Sequence, residues 1–134
     1  DPNHKKIQDW VKALLPLYRN NPCMYEQDSS WAGFEWINAD DRDRSIFSFV
    51  RKSKDGKNNM LFVINFTPVA RDDYRVGVPK NKTYRLVLNS EDPAFNGTDT
   101  DRKKSYIATK SPCDGKKYSF AYPLPAYGVA VFKY

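Results

Sequence analysis

The chain has 134 residues, the length of one ordinary domain, and 15% of them are aromatic, so Tyr, Phe and Trp must supply much of any core. Its formal net charge is +6, but acidic and basic residues are interleaved, which is typical of a solvated surface and argues against a nucleic-acid partner. There is neither a stretch of membrane-spanning length nor a basic and apolar leader. We therefore expect no membrane partner and a cytoplasmic location.

The cysteine and histidine content argues against a metal centre. Cys23 and Cys113 lie far apart in the sequence, His4 is the only histidine, and no Cys or His pair has the spacing of a zinc site. We expect both cysteines to be free thiols, as in a reducing cytosol, and we expect no metal and no other cofactor.

Apolar residues near the start of the chain recur at three- and four-residue steps and predict one face of a helix: Ile7, Trp10, Val11, Leu14, Leu15 and Tyr18. Pro16 predicts a kink or a break in this helix, because proline lacks the N–H that the helix needs. Two interpretations stay open. Either the helix packs on this chain's own sheet, or its partner lies in a part of the protein outside this chain.

After residue 28 the pattern changes to short strands separated by prolines and turn residues. Asp55-Gly56 lies between two apolar runs and predicts a β-hairpin. The predicted strands are residues 33–37, 45–51, 60–66, 73–78, 83–88, 106–109, 118–122 and 128–134. About eight such strands predict an all-β fold, an antiparallel β-sandwich, with a long polar loop at residues 90–105.

Strand alternation also predicts which large side chains face the core. The expected core residues are Phe47, Phe49, Leu61, Val63, Tyr84, Leu86, Phe120, Val129 and Val131.

Candidate catalytic groups are scarce. Acid–base chemistry on sugars needs two carboxylates facing each other across a bond, roughly 5–9 Å apart. The densest acidic group, around Asp40, Asp41 and Asp43, alternates with arginines, which favours structural ion pairs. The remaining lead is aromatic: sugar rings stack on flat rings, and Trp31, Phe34 and Trp36 lie close together, although such residues also build cores and domain interfaces.

Residues 33–41, Gly-Phe-Glu-Trp-Ile-Asn-Ala-Asp-Asp, resemble glycogen (1,4-α-glucan) branching enzymes of the α-amylase superfamily. The resemblance is strongest at residues 65–71, Asn-Phe-Thr-Pro-Val-Ala-Arg, and at residues 74–79, Tyr-Arg-Val-Gly-Val-Pro. It extends upstream to residues 17–22, which look like the end of the last barrel helix. Residues 13–16 and 95–98 depart from the family's pattern.

The resemblance implies a parent enzyme that cuts an α-1,4-glucan and transfers the piece to a 6-hydroxyl, forming α-1,6 branches in glycogen biosynthesis by a retaining mechanism. Residues 1–27 would be the helix and linker from the end of the catalytic barrel, and residues 28–134 the C-terminal β-sandwich domain. No segment matches the family's catalytic motifs. We therefore expect no catalytic residue in this chain and no activity from the chain alone.

The resemblance also implies two partners, the catalytic barrel and the α-glucan or glycogen. We predict that the domain braces the barrel and contacts glucan through Trp36, with Glu35, Asp40 and Asp41 as acceptors of hydrogen bonds from sugar hydroxyls. In the alternative interpretation Trp36 is a buried plug between domains. The competing function is a free-standing carbohydrate-binding β-sandwich with no catalytic partner.

Overall fold

The computed structural model describes residues 2–27, 31–38, 45–95, 97–98 and 102–134. One helix precedes eight strands in the described residues: α1 (Pro2–Asn20), β1 (Phe34–Asn38), β2 (Ile46–Lys52), β3 (Asn59–Asn65), β4 (Arg71–Val78), β5 (Thr83–Asn89), β6 (Ser105–Ile107), β7 (Tyr118–Leu124) and β8 (Val129–Lys133). Short 3₁₀ turns occupy Pro22–Met24, Trp31–Gly33 and Pro93–Phe95. Within these residues, no helix combines the length with the apolar character that crossing a membrane requires.

The strands form two sheets, and all of their pairings are antiparallel. The larger sheet has the order β1-β2-β3-β8-β5-β6, and the smaller sheet pairs β4 with β7. This architecture confirms the predicted all-β sandwich preceded by a helix. The predicted hairpin is confirmed as well: β2 and β3 pair from Ile46↔Asn65 to Lys52↔Asn59 around a turn in which Gly56 has a φ of 69°.

The inner face of the six-stranded sheet packs against the two-stranded sheet and forms the main core. Because successive side chains of a strand point to opposite faces, alternate residues of β2, β3 and β8 enter this core. Aromatic rings fill its centre: Phe132 lies 5.1 Å from Tyr122 and 5.3 Å from Phe120, measured between ring centroids. Its largest fully buried side chains are Tyr84, Tyr122, Phe132, Ile46, Leu61, Leu124, Val50, Val63, Val76 and Val78.

The outer face of the same sheet carries a second apolar cluster, covered by α1. Its buried members are Cys23, Met60, Phe62, Leu88 and Val131. The helix contributes four partly buried side chains to this cluster: Trp10, Ala13, Leu14 and Leu17. The linker after α1 is tied to the sheet, since the Arg51 guanidinium donates to the backbone oxygen of Met24 at 2.9 Å. Of the two interpretations of the helix, the first therefore holds: α1 packs on this chain's own sheet.

Two details of the predicted helix differ from the structure. The helix is not broken at Pro16 but continues to Asn20. The predicted apolar face is also split, because Trp10 and Leu14 contact the sheet whereas Val11, Leu15 and Tyr18 remain exposed. Steps of three and four residues cover too wide an arc of the helix for all of these side chains to reach one flat sheet.

Six of the nine predicted core residues are buried, and the other three are partly buried. Leu61, Val63, Tyr84, Leu86 and Phe120 lie between the sheets as expected. Phe49 and Val131 belong instead to the cluster under α1, and Phe47 and Val129 are only partly buried. The reason is the pleat, which sends these side chains to the outer face.

Both cysteines are free thiols, as predicted. Cys23 is buried under the sheet-covering helix, and burial raises the pKa of its thiol.

Candidate functional site around Trp36

Trp36 lies on the outer face of β1, which is an edge strand of the larger sheet. Its strand partner is Phe49, and the two ring centroids are 5.7 Å apart in an edge-on arrangement. Phe34 lies against the same indole edge-on at 5.2 Å. The indole is 47% exposed, so it is supported by two rings and still offers a large part of its surface to a partner.

The supporting rings form a row that fixes the position of the indole. Phe34 stacks on Phe49 at 5.1 Å, and Phe49 stacks on Phe62 at 4.9 Å with an interplanar angle of 6°. Phe62 belongs to the buried cluster beneath α1. The aromatic row therefore connects Trp36 to the packed part of the outer face, and the helix and the indole share one support.

Glu35 does not lie beside Trp36. It pairs with Val50, a residue of the inner core, so its side chain leaves β1 on the opposite face. There its carboxylate accepts a hydrogen bond from the Lys116 ammonium at 3.3 Å. The predicted combination of an indole with a neighbouring carboxylate is therefore not assembled by Glu35 in this structure.

The acidic residues after β1 cannot be placed. Asp40 and Asp41 lie outside the described residues. Residues Trp31–Gly33 form a 3₁₀ turn that leads directly into β1. Of the predicted site, the structure therefore describes Trp36 and Glu35 alone.

A tight turn that the sequence prediction missed holds β1 from the inner side. Asp114 and Gly115 both have positive φ, 53° and 73°, between the bridged residues Cys113 and Lys116. The Asp114 carboxylate accepts from the Asn38 side chain at 3.3 Å and from the Gly77 backbone N–H at 3.0 Å. The turn thus links β1 of one sheet to β4 of the other. Its signal was available in the Asp-Gly dipeptide, a hairpin signature.

The arrangement can bind by stacking but offers no acid–base pair beside the indole among the described residues. The described residues also contain no group of three or more His, Cys, Asp or Glu side chains placed to hold a metal ion.

Comparison with known protein families gives a match to "Alpha amylase, C-terminal all-beta domain" over residues 36–134. The chain belongs to this family. The matched region of the domain begins at Trp36 itself and takes in all eight strands except the first two residues of β1. The family match does not include the helix α1, but the alignments with individual relatives span almost the whole chain and therefore include it.

The domain is similar to three proteins that carry the name 1,4-alpha-glucan branching enzyme GlgB. It is 44% identical over 129 residues to the protein from Butyrivibrio fibrisolvens, which covers 96% of this chain and 20% of that protein. It is 41% identical over 133 residues to the protein from Aquifex aeolicus, and this alignment covers 99% of this chain and 21% of that protein. To the protein from Halothermothrix orenii it is 37% identical over 130 residues, and this alignment covers 97% of this chain and 21% of that protein. The domain spans about a fifth of the length of these relatives.

Proposed function

We propose that this chain is the C-terminal accessory domain of a 1,4-α-glucan branching enzyme, which moves an α-1,4-linked segment to a 6-hydroxyl in glycogen biosynthesis. The observation that carries the proposal is similarity along nearly the whole chain to relatives that bear this enzyme's name. In this role the domain braces the catalytic barrel and contacts the glucan. The chemistry belongs to the barrel, and this chain supplies binding surface and stability.

Residues 1–27 are proposed to be the end of the barrel and residues 28–134 the β-sandwich. Supporting this division, α1 is apolar on two adjacent sides. One side packs on the sheet through Trp10 and Leu14, and the other exposes Val11, Leu15 and Tyr18. A helix that is apolar on more than one side is typical of the interior of a larger protein. The barrel would cover the exposed side.

Trp36 is proposed as the glucan contact. Indole is a large flat apolar surface with one N–H donor, and a pyranose ring can stack on it. Its two supporting rings restrict its motion, so stacking a sugar costs little further side-chain entropy. Glu35, engaged with Lys116, contributes by holding β1 in place, and Asp40 and Asp41 remain the proposed acceptors for sugar hydroxyls.

The enzyme role is tested on the complete reading frame that contains this chain. The encoded protein is expected to add α-1,6 linkages to amylose, whereas the 134-residue chain alone is expected to add none above a boiled control. A reading frame without a further domain would favour the free-standing sugar-binding module instead. A longer protein that leaves amylose unbranched would overturn the proposal.

The role of Trp36 is tested in the longer protein by Trp36→Ala. A glucan contact predicts lower activity on long chains with an unchanged melting temperature. A plug between domains predicts a lower melting temperature and an equal loss on all substrates. Ile107→Ala is the matched control, because Ile107 is an exposed apolar residue on the opposite edge strand, β6. For the chain alone we expect glycogen binding with a millimolar or weaker Kd, which corresponds to a binding free energy no more favourable than about −4 kcal/mol.

The proposed location is the cytoplasm, where glycogen and its precursors occur and where the free thiols Cys23 and Cys113 would stay reduced. Cell fractionation with an antibody to the chain tests this location.

A further inference from the structure

A second part of the outer sheet face is left uncovered by α1. It lies at the end of β3 and β8 that is remote from the β2–β3 turn. Together with the exposed Tyr127 from the turn that precedes β8, we call it the distal patch: Phe47, Ile64, Phe66, Tyr127 and Val129. The Phe66 ring packs edge-on against Phe47 at 5.6 Å, and Ile64 pairs with both Phe47 and Val129 across the sheet. None of the five belongs to the cluster beneath the helix.

The two most exposed members stand on a rigid support. Phe66 is 61% exposed and Tyr127 is 64% exposed. Between them, the buried Asn65 side chain donates to the backbone oxygens of Val69 and Pro125 at 2.9 and 3.0 Å and accepts from the Thr67 backbone and hydroxyl. This network joins the loop after β3 to the loop before β8. The exposure of Phe66 is therefore a property of the scaffold, since the loop that carries it is tied down on both sides.

Tyr127 has a backbone conformation that its side chain does not favour. Its φ is 50°, in the left-handed region where glycine is the usual residue. Its N–H donates to the Thr67 backbone oxygen at 2.9 Å, which holds this conformation. An exposed ring at a position suited to glycine adds little to the stability of this chain. We therefore infer that the Tyr127 side chain contacts something outside this chain.

The chemistry of the distal patch distinguishes between occupants. All five members are uncharged, in a chain in which 28% of residues are charged. Among these side chains the Tyr127 hydroxyl is the one polar group, and Ile64 and Val129 are aliphatic. A sugar would need several hydrogen-bonding partners, and an acidic ligand would need cations. An apolar protein surface needs neither cations nor many hydrogen-bonding partners, so it is the occupant that suits this patch.

We propose that the distal patch docks on the catalytic barrel, the part of the longer polypeptide that precedes this chain. The proposal rests on the proposed function and adds to it a second contact, separate from the exposed side of α1. The length of the relatives supports this occupant, because about four-fifths of their chain lies outside the region that matches here. Phe66 and Tyr127 are its anchors, and Trp36 lies outside it on the edge strand.

The test is thiol labelling of one introduced cysteine at a time in two contexts, the 134-residue chain and the complete reading frame. The variants are Phe66→Cys and Tyr127→Cys, with Ile107→Cys as the matched control, since Ile107 is 69% exposed at the far corner of the sheet. Maleimide modification is read peptide by peptide, so that Cys23 and Cys113 serve as internal references in both contexts.

We expect both patch probes to react at least ten times more slowly in the longer protein than in the chain alone, and the control to react equally in both. Equal rates for the patch probes in both contexts would overturn the docking proposal. If the longer protein still forms α-1,6 linkages in that case, the proposed function survives. Slow labelling of the chain alone that speeds up on dilution would assign the patch to a second copy of this chain and would also overturn the proposal.

Discussion

The two faces of the six-stranded sheet are built from the same alternating strands, but this chain closes only one of them. The inner face packs against β4 and β7, and the aromatic rings of its buried core have little or no exposure. The outer face is covered by α1 over Met60, Phe62 and Val131 and is open at Trp36 and at the distal patch. The inner face therefore stabilises the fold, and the outer face is where we propose that the domain contacts its partners.

The same comparison is what we expect of a stable domain that belongs to a longer protein, as proposed above. Folding needs one closed core, and the two sheets supply it without the helix. The outer face adds a second layer whose apolar surface exceeds the area that one helix can cover. Four predictions test this division, from the largest expected effect to the smallest.

Phe132→Ala is expected to destabilise the chain by about 3–5 kcal/mol, because it removes a fully buried ring at the centre of the inner aromatic cluster. Phe66→Ala is the matched change on the outer face and is expected to cost less than about 0.5 kcal/mol in the chain alone. Urea unfolding of both variants measures the difference. Equal losses would mean that the two faces contribute alike, against the comparison drawn here.

Asn65→Ala is expected to cost about 2–3 kcal/mol, because it removes a buried side chain that bonds the backbone oxygens of Val69 and Pro125 and the Thr67 N–H. Thr67→Val, which removes one hydroxyl from the same network, is expected to cost less. Hydrogen exchange gives a local measure: the Tyr127 amide is expected to exchange faster in Asn65→Ala. Unchanged exchange there would show that the two loops are not coupled through Asn65.

Leu14→Ala and Leu15→Ala compare the two apolar sides of α1 with the same change. Leu14 packs against the outer cluster, so Leu14→Ala is expected to lower the free energy of unfolding by about 1–2 kcal/mol. Leu15 is exposed, so Leu15→Ala is expected to change it by less than about 0.5 kcal/mol in this chain. In the longer protein the Leu15 variant is expected to lose stability too. If it is equally silent there, the barrel does not cover that side of the helix.

The smallest effect concerns alkaline pH. Burial raises the pKa of Tyr84 and of Tyr134 above the ordinary value of 10.0. Since both stay protonated in the folded state while the unfolded chain ionises, the stability they contribute is complete below about pH 10 and is lost as pH rises through the folded-state pKa. Unfolding free energies at pH 9 and pH 11 check this, and Tyr84→Phe is expected to reduce the difference. A pH-independent stability in this range would contradict it.

Much of the fold was predictable because its signals are local. The Asp55-Gly56 turn and its flanking apolar runs predicted the β2–β3 hairpin, and prolines marked most strand ends. Pro123 is an exception: it lies within β7, opposite the irregular pairing between Arg71 and Tyr74, where a missing N–H is tolerated. The Asp114-Gly115 turn carried the same kind of local signal as the first hairpin and could have been found.

The candidate site was predictable only in part. Trp36 could be singled out because an aromatic residue in a predicted strand is visible in the sequence, and its exposure is now observed, whereas its contact with glucan stays a prediction. Its separation from Glu35 is equally a local property, because neighbouring residues of a strand point to opposite faces. The partner of Glu35 was not predictable, since Lys116 lies 81 positions away and meets it only when the two sheets pack.

The class of fold, the positions of the helix and strands, the free thiols and the family could all be predicted before folding was considered, because periodicity, turn chemistry and motifs are read along the chain. Which face of the sheet each apolar residue occupies became known only once the strands were paired. Phe49 and Leu61 look alike in the sequence, yet one lies under α1 and the other lies between the sheets. The order β3-β8-β5 joins strands far apart in the chain, and only that long-range pairing settles which apolar surface is closed within the domain and which stays exposed.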